Sequence, residues 1–312
     1  MITARNILNG LLLLTAGAIL LVGCVRDDRS DCRYPLPLRF TYTYNVEQTD
    51  LFDAEVTQLD LFLYDAASGR LVAQLSPDVD MLSPDNGLEW MVPPGEYDIV
   101  AWGGVVQRYR FSSMQSFEQA LMSIRREQDG ETVSQQQEHL FHAVCRDVRV
   151  TGNLLPEVVM DLHKNSNDVR IEITGLTETQ REQVACSIRS ANGDYAFDNT
   201  IRTQQPVTYL PEAGYTNGVA SYDHTVLGLW PEDDSWLKVE LLSTPVKSDG
   251  TAQTLFDGSL SELLLQKPGT NLDLEDEFTI RLEVKPSSSD SSVRVELYVN
   301  DWHVVDMNGG LG

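Results

Sequence analysis

The sequence predicts an all-β protein with one minor helix, built as two tandem β-sandwich domains behind an N-terminal leader. Three observations support this prediction. Apolar and polar residues alternate with a period of two along most of the chain, which is the pattern of half-buried strands. Turn residues separate many short strand-like runs, which favours sandwiches over an α/β fold. The 312 residues suffice for about two domains.

The composition limits the classes of function. The chain carries 47 acidic and 23 basic side chains, a formal charge of -24 at pH 7, and 42% hydrophobic residues. We expect no nucleic-acid partner, because phosphate binding requires clustered Lys and Arg. The same acidity disfavours docking on an anionic lipid surface through a basic patch. The apolar fraction is too high for a chain that is disordered throughout.

The first 23 residues form a leader that predicts export. They contain one charged side chain, Arg5, and an apolar run over residues 7–22. This run is too short to cross a ~30 Å hydrocarbon core as a helix, and its pattern is typical of a secretory signal peptide. It ends in Leu21-Val22-Gly23-Cys24, which resembles a bacterial lipobox. In that motif the cysteine is acylated and the bond before it is cleaved. We therefore predict a signal peptide over residues 1–23 and lipidation at Cys24.

Acyl chains on Cys24 would hold the mature protein at a membrane without help from charge. Buried acyl chains contribute about 0.8 kcal/mol per CH₂, and two or more chains anchor stably. Residues 24–34 are predicted to form the tether. Its acidic cluster, within Val25-Arg26-Asp27-Asp28-Arg29-Ser30-Asp31, resembles the signal that exports Bacteroidales lipoproteins to the outer leaflet. A solvated tether without a sorting role is the alternative interpretation.

Three further cysteines, Cys32, Cys145 and Cys186, are left when Cys24 is set aside. At most one disulfide can therefore form within the chain. The sequence has no C-x-x-C spacing, which argues against thioredoxin-like and zinc-ribbon folds.

The first predicted domain covers residues 35–162. Alternation begins in residues 36–44, continues in a hairpin over 59–75, and resumes on both sides of the break at Pro93-Pro94-Gly95. One segment departs from the period of two. Apolar residues recur at helical spacing in residues 113–128, which predicts a surface helix.

The second predicted domain covers residues 163–312 and begins with the polar run His163-Lys164-Asn165-Ser166-Asn167. The strand-like runs of this second domain are residues 169–173, 185–190, 207–210, 225–230, 237–242, 278–284 and 293–305. A loop is predicted for its serine-rich run over residues 287–292, and another for residues 134–138 of the first domain.

The sequence contains no catalytic signature. G-x-S-x-G, the P-loop, G-x-G-x-x-G and H-E-x-x-H are all missing. We therefore predict a protein that is not an enzyme and needs no cofactor. His139 and His142 stand three residues apart, a spacing that can place two metal ligands on one helical turn. Two histidines without a nearby carboxylate rarely bind metal tightly, so exposed loop histidines and no metal site are predicted.

Two other patterns leave alternatives open. The acidic run over residues 271–277 offers oxygen ligands for a hard cation, but it lacks EF-hand spacing, so a solvated loop is favoured. Trp230 and Trp236 flank an acidic loop over residues 231–235, where a sugar-binding platform is one possibility. Core packing in strands is expected for Trp90, Trp102 and Trp302.

Several longer runs carry a resemblance to a known family. They are Cys32-Arg33-Tyr34-Pro35-Leu36, Phe40-Thr41-Tyr42-Thr43-Tyr44-Asn45, Asp50-Leu51-Phe52, Leu61-Phe62-Leu63-Tyr64-Asp65, Pro94-Gly95-Glu96-Tyr97-Asp98-Ile99-Val100-Ala101-Trp102-Gly103, Lys164-Asn165-Ser166-Asn167 and Val299-Asn300-Asp301-Trp302. Together they resemble the FimB-type fimbrial anchor lipoproteins, the minor fimbrilins of Bacteroidales. The resemblance extends from the lipobox to the C-terminus and is thinner over residues 191–286.

The resemblance implies two transthyretin-like β-sandwiches in tandem on an acylated cysteine. It also implies a surface-exposed outer-membrane lipoprotein at the base of a fimbrium, which binds a fimbrial stalk subunit and limits the length of the polymer. A cell-surface lipoprotein that binds glycans is the alternative.

The C-terminal stretch offers a candidate contact with a partner strand. Residues 293–299 alternate and are expected to close the second sandwich. A break at Asn300-Asp301 precedes Trp302 and Val304, and the glycine-rich end of the chain is expected to be flexible. We therefore predict that Trp302 and Val304 lie in a tail that is free to reach a neighbouring subunit through strand pairing.

Overall fold

The computed structural model describes residues 32–104, 108–133, 139–152, 155–202, 205–242, 252–286 and 293–308. The predicted all-β fold class is confirmed: strands dominate these ranges, and each α-helix in them has four or five residues. Within the same ranges no helix is long and apolar enough to cross a membrane. The predicted signal peptide, Cys24 and the predicted loops over residues 134–138 and 287–292 lie outside the described residues.

The elements follow one another in short segments. The helices are α1 (Phe52–Glu55), a 3₁₀ turn (Val79–Met81), α2 (Glu178–Arg181) and α3 (Leu260–Leu264). The strands are β1 (Tyr34–Thr41), β2 (Leu59–Asp65), β3 (Leu71–Leu75), β4 (Gly87–Val92), β5 (Gly95–Gly103), β6 (Tyr109–Ser112), β7 (Leu121–Ile124), β8 (Thr132–Val133), β9 (Phe141–Val150), β10 (Val158–Asp161), β11 (His163–Lys164), β12 (Ser166–Thr174), β13 (Val184–Ser190), β14 (Asp194–Ala196), β15 (Val207–Tyr209), β16 (Glu212–Thr216), β17 (Val219–Leu227), β18 (Trp236–Leu241), β19 (Gln253–Ser259), β20 (Glu277–Pro286), β21 (Val293–Val299) and β22 (Trp302–Asn308).

The strands form five sheets, which we number I to V. Sheet I has the strand order β10-β1-β4, and sheet II has β11-β9-β5-β2-β3. Sheet III is β14-β7-β6, sheet IV is β16-β17-β12-β20-β21-β22, and sheet V is β19-β18-β13-β15-β8. Sheets I and II enclose one apolar core, and a second, larger core includes residues from sheets II to V.

Strand alternation places the first core as the sequence predicts. Leu36, Leu38 and Phe40 of β1 are fully buried and face sheet II, while the residues between them are only partly buried. Leu61 and Leu63 of β2 reach the same core from the other side. A period of two therefore gives each strand one apolar face, and the two faces pack against each other.

Sheet II is buried on both of its faces. Phe62 and Trp102 point away from sheet I and pack against Phe197, with ring centroids 4.9 Å and 5.9 Å from it. Phe197 follows β14, a strand that pairs with β7 across the predicted domain boundary. The boundary after residue 162 stays a prediction, and these contacts show that the two halves share one core.

The helix predicted over residues 113–128 is wrong. After β6 the chain turns at Ser113, whose φ is 54°, and it enters β7 at Leu121. β7 forms its hydrogen bonds with β6 and β14 in sheet III. The residues at helical spacing are buried by separate contacts, such as the edge-on packing of Phe117 against Tyr64 at 5.4 Å. Pairing with other strands has overridden the local helical pattern.

The three cysteines that the structure describes are free thiols. Cys32 is exposed, Cys145 is partly buried and Cys186 is buried. Burial raises the pKa of the Cys145 and Cys186 thiols, so both stay protonated at neutral pH.

Candidate functional site: the C-terminal edge strand and the acidic loop

β22 is the edge strand of the six-stranded sheet IV. It pairs antiparallel with β21, and no other strand in the described part of the chain lies on its second side. The prediction of a free tail is therefore wrong for residues 302–308, which form a strand of the chain's own sheet. Residues 309–312 lie outside the described residues. An edge strand still offers backbone N–H and C=O groups to a partner.

A two-residue turn positions β22. Asn300 and Asp301 have φ values of 45° and 63°, as both central residues of a type I′ hairpin turn require. Asn and Asp tolerate this left-handed conformation better than other residues with a side chain. The Asn300 side chain accepts a hydrogen bond from Thr279 N at 2.7 Å, and Arg281 pairs with Asp301 at 2.9 Å. The predicted break at this place is thus a tight turn fixed to β20.

Trp302 lies at the open edge of the sandwich. It pairs with Val299, which is fully buried, so the two side chains share the core-facing side of the sheet. Trp302 is nevertheless 50% exposed, and β22 has no neighbour on its outer side among the strands that the structure describes. The core packing predicted for this tryptophan is therefore only partly achieved, and part of its surface lies open beside the edge of β22.

Val304 lies two residues further along the same strand. It packs in part against the larger core. The register between β21 and β22 shifts here, since Leu297 pairs with Val305 while Tyr298 pairs with His303. Val304 is the extra residue of this β-bulge, a feature that is common on edge strands.

The acidic loop over residues 271–277 fastens the second half of the chain to the first. Tyr42 donates a hydrogen bond to Asp276 Oδ2 at 2.9 Å, and Tyr44 donates one to Asp273 Oδ2 at the same distance. His163 approaches Asp273 Oδ1 at 3.2 Å. The prediction of a solvated loop holds only in part: the Asp273 side chain is 68% exposed, but Asp273 and Asp276 both accept hydrogen bonds from tyrosines of the first half of the chain.

Lys164 is the cation at the centre of this contact, between the carboxylates of Glu55 and Asp276. Its side chain is only 7% exposed, and Nζ lies 3.1 Å from Glu55 Oε2 and 3.6 Å from Asp276 Oδ2. Burial raises the pKa of Asp276, while Lys164 and the hydrogen bond from Tyr42 lower it. We name Lys164, Glu55, Asp276 and Tyr42 the junction cluster. The arrangement is a partly buried ion-pair network that joins the two halves, because Glu55 lies in the first half and Lys164 and Asp276 lie in the second.

The paired histidines do not lie in an exposed loop as predicted. His142 is buried in β9, where its ring packs 4.5 Å from the Trp102 ring and Nε2 lies 3.0 Å from the Phe197 carbonyl oxygen. Burial lowers the pKa of His142 to about 4, so the ring is neutral. His139 lies beside Asp168, with a distance of 3.4 Å between Nε2 and Oδ2. Among the described residues no three His, Cys, Asp or Glu side chains are arranged to hold a metal.

Trp230 and Trp236 lie in different surroundings. Trp230 is partly buried and lines a cleft of about 180 Å³. Trp236 is 47% exposed on β18 and donates a hydrogen bond from Nε1 to Asp257. The acidic loop between them is used internally, since Asp233 accepts hydrogen bonds from the backbone N–H groups of Trp230 and Ser235.

Sequence reasoning missed the tyrosines of the acidic-loop contact. The alternation over residues 36–44 predicts only a strand for Tyr42 and Tyr44, although their hydroxyl groups bind carboxylates more than 200 positions away. An acidic run and a polar Lys164-Asn165-Ser166-Asn167 run are both visible in the sequence. Neither run contains a signal that the two segments contact each other in the folded chain.

Stacked β-sheets that end in an open C-terminal edge strand are the architecture of a protein that can assemble by strand addition. The chain belongs to the family of fimbrillin-A associated anchor proteins, whose profile matches residues 29–308.

Individual relatives agree with this assignment. The chain is 22% identical over 293 residues to the minor fimbrium anchoring subunit Mfa2 of Porphyromonas gingivalis, covering 89% of this chain and 87% of that protein. The solved structure of the fimbrial anchor protein Mfa2 from the same organism matches with a TM-score of 0.70 at 21% identity, covering 88% and 99% of the two chains. A Bacteroides thetaiotaomicron structure, described as a candidate polysaccharide-binding protein, matches with a TM-score of 0.71 at 22% identity over 88% and 97%.

Proposed function

We propose that this fimbrial anchor protein is an outer-membrane lipoprotein that holds the base of a fimbrium at the cell surface. Acyl chains on Cys24 enter the membrane, and the edge of β22 pairs with a strand of a fimbrial stalk subunit. The protein has a structural role and catalyses no reaction. A chain fixed in the membrane by its N-terminus also ends the polymer there, which limits its length.

The observation that supports the partner contact best is the half-exposed Trp302 on the free edge of sheet IV. Each backbone hydrogen bond gained by strand addition contributes only about 1 kcal/mol, so a tight contact also needs side-chain burial. Covering the exposed half of a tryptophan contributes about 2–3 kcal/mol. The same strand therefore offers both the hydrogen-bonding groups and the apolar surface.

Replacing Trp302 by Ala is expected to weaken binding of the first fimbrial subunit between about 10-fold and 100-fold, because it removes the apolar surface that the partner strand would cover. The Kd is measured by surface plasmon resonance with residues 25–312 and the purified subunit. Trp236→Ala is the matched control, since Trp236 is 47% exposed on β18 of sheet V. Equal loss of affinity in both variants, with both folded by circular dichroism, would contradict the assignment.

Glycan binding at the cell surface is the second candidate. It is supported by the description of the Bacteroides thetaiotaomicron relative and by the exposed Trp236. The hydrogen bond from Trp236 to Asp257 and the partly buried position of Trp230 leave a smaller aromatic surface than the sequence indicates. The same binding experiment, repeated with oligosaccharides, distinguishes the two candidates.

A further inference from the structure

We propose that β1 and the two strands beside it form a mechanical clamp that carries the tension between the membrane and the fimbrium. The inference rests on the proposed function, because a chain is under tension only when it is held at both ends. It gives sheet I a mechanical function, which is to stay folded while the polymer is pulled.

β1 is the central strand of sheet I, and it begins ten positions after Cys24. On one side it pairs antiparallel with β4, from Tyr34 opposite Val92 to Arg39 opposite Gly87. On the other side residues 38–41 pair in parallel with β10. Extracting β1 therefore requires two ladders of hydrogen bonds to break together.

Tension enters β1 at one end and leaves at the other. The tether joins it at Tyr34, whereas the contacts with the second half of the chain follow its last residue, Thr41. The hydroxyl of Tyr42 binds Asp276, and the hydroxyl of Tyr44 binds Asp273. The pull is thus directed along the strand. Because ladder hydrogen bonds run across the strands, all of them are loaded in shear at once instead of opening one after another.

Side chains reinforce the parallel pair of β1 and β10. Asp161 accepts hydrogen bonds from Thr41 Oγ1 at 2.9 Å, from Thr43 Oγ1 at 2.7 Å and from Thr43 N at 3.0 Å. Arg39 pairs with Glu157 at 2.8 Å. These bonds join the strand that receives the tether to the strand that leads into the second half.

The two prolines of β1 lie in the part of the strand that does not pair with β10. Phe40 N donates a hydrogen bond to the Asn86 carbonyl oxygen on the β4 side. Because the backbone groups of successive strand residues point to opposite sides, those of positions 35 and 37 point toward the β10 side. Pairing with β10 begins only at Leu38. Pro35 and Pro37 lack an N–H group and therefore block strand addition at this stretch, where no described strand pairs with β1 on the β10 side. The tether end of β1 is thereby protected from pairing with a foreign strand.

Single-molecule force spectroscopy on residues 25–312 tests the clamp. One handle is attached at the N-terminus, and the second at a cysteine in a Cys32→Ser, Cys145→Ser background. Pro268→Cys lies three positions before the acidic loop that binds Tyr42 and Tyr44, so a force applied there reaches β1 from its Thr41 end. Pro94→Cys, just beyond the β4 residue that pairs with Tyr34, makes β1 peel from β4 one residue at a time. We expect a first rupture force several-fold higher in the Pro268 geometry.

A matched pair of variants tests the role of the side chains. Asp161→Ala removes three hydrogen bonds within the clamp, and Asp129→Ala removes three in a turn outside it. Only Asp161→Ala is expected to lower the rupture force in the Pro268 geometry. Equal forces in the two pulling geometries, or equal effects of the two variants, would overturn the clamp. Neither fimbrial subunit nor lipid is present, so this outcome is independent of the binding test at Trp302.

Discussion

Replacing Cys24 by Ser is expected to abolish the acyl anchor and to leave a soluble or uncleaved protein, so that any fimbria bound to it are no longer held at the outer membrane. The chain has a formal charge of -24, so it gains nothing from an anionic surface. Each buried CH₂ of an acyl chain contributes about 0.8 kcal/mol, and no replacement side chain supplies a comparable amount. The loss should therefore be nearly complete.

Detergent phase partition and mass spectrometry of the N-terminal peptide measure this effect. Cys32→Ser is the control, because Cys32 is an exposed free thiol eight positions later and should leave acylation unchanged. An unmodified Cys24 thiol in the mature wild-type chain would refute the lipid anchor.

Replacing Lys164 by Met is expected to lower the free energy of unfolding by about 3–5 kcal/mol, since removal of one partner leaves buried charges uncompensated. Lys164 is the cation between Glu55 and Asp276, and its side chain is only 7% exposed. Chemical denaturation at pH 7.5 measures the loss. Lys267→Met is the control: Lys267 pairs with Glu275 at 3.2 Å but is 29% exposed, so a loss below about 1 kcal/mol is expected.

The pH dependence identifies the cause of this loss. Burial already raises the pKa of Asp276 in the folded chain, and Lys164 opposes that shift. Without Lys164 the folded pKa rises further above its unfolded value, so stability falls as pH rises through it. The difference between Lys164→Met and wild type should therefore shrink when the pH is lowered from about 7.5 to about 5. A difference that does not change with pH would instead indicate lost packing.

The strands and the first core could be predicted from local sequence. The alternation around Leu36, Leu38 and Phe40 gives β1 its buried face, and the run over residues 59–75 forms the β2–β3 hairpin. Such patterns are readable because one strand face meets one core.

Features that depend on pairing between distant segments could not be predicted in this way. The spacing of Phe117 and Leu121 fits a helix, but β7 pairs with β14 instead. The hydrogen bond from Tyr42 to Asp276 joins residues that are 234 positions apart. Strand order decides which groups meet, and the sequence of a single strand does not contain that order.

The C-terminal strand combines a feature that could be predicted from the sequence with one that could not. The alternation and the tryptophan at position 302 are visible in the sequence and direct attention to the correct segment, but core packing is expected for Trp302, which is 50% exposed. The position of the strand could not be predicted: a glycine-rich end indicates a free tail, whereas the Asn300-Asp301 turn folds β22 back onto β21. The partner contact is therefore expected along a strand edge.

Cross-linking in intact cells tests the central claim most directly. A photo-reactive amino acid is placed at position 302 of the full-length protein, and the matched control carries it at position 236. The proposed function predicts an adduct with the fimbrial stalk subunit from position 302 on β22 and none from position 236 on β18, with both proteins retained in the membrane fraction. No adduct from position 302, or equal adducts from both positions, would contradict the claim that β22 holds the fimbrium.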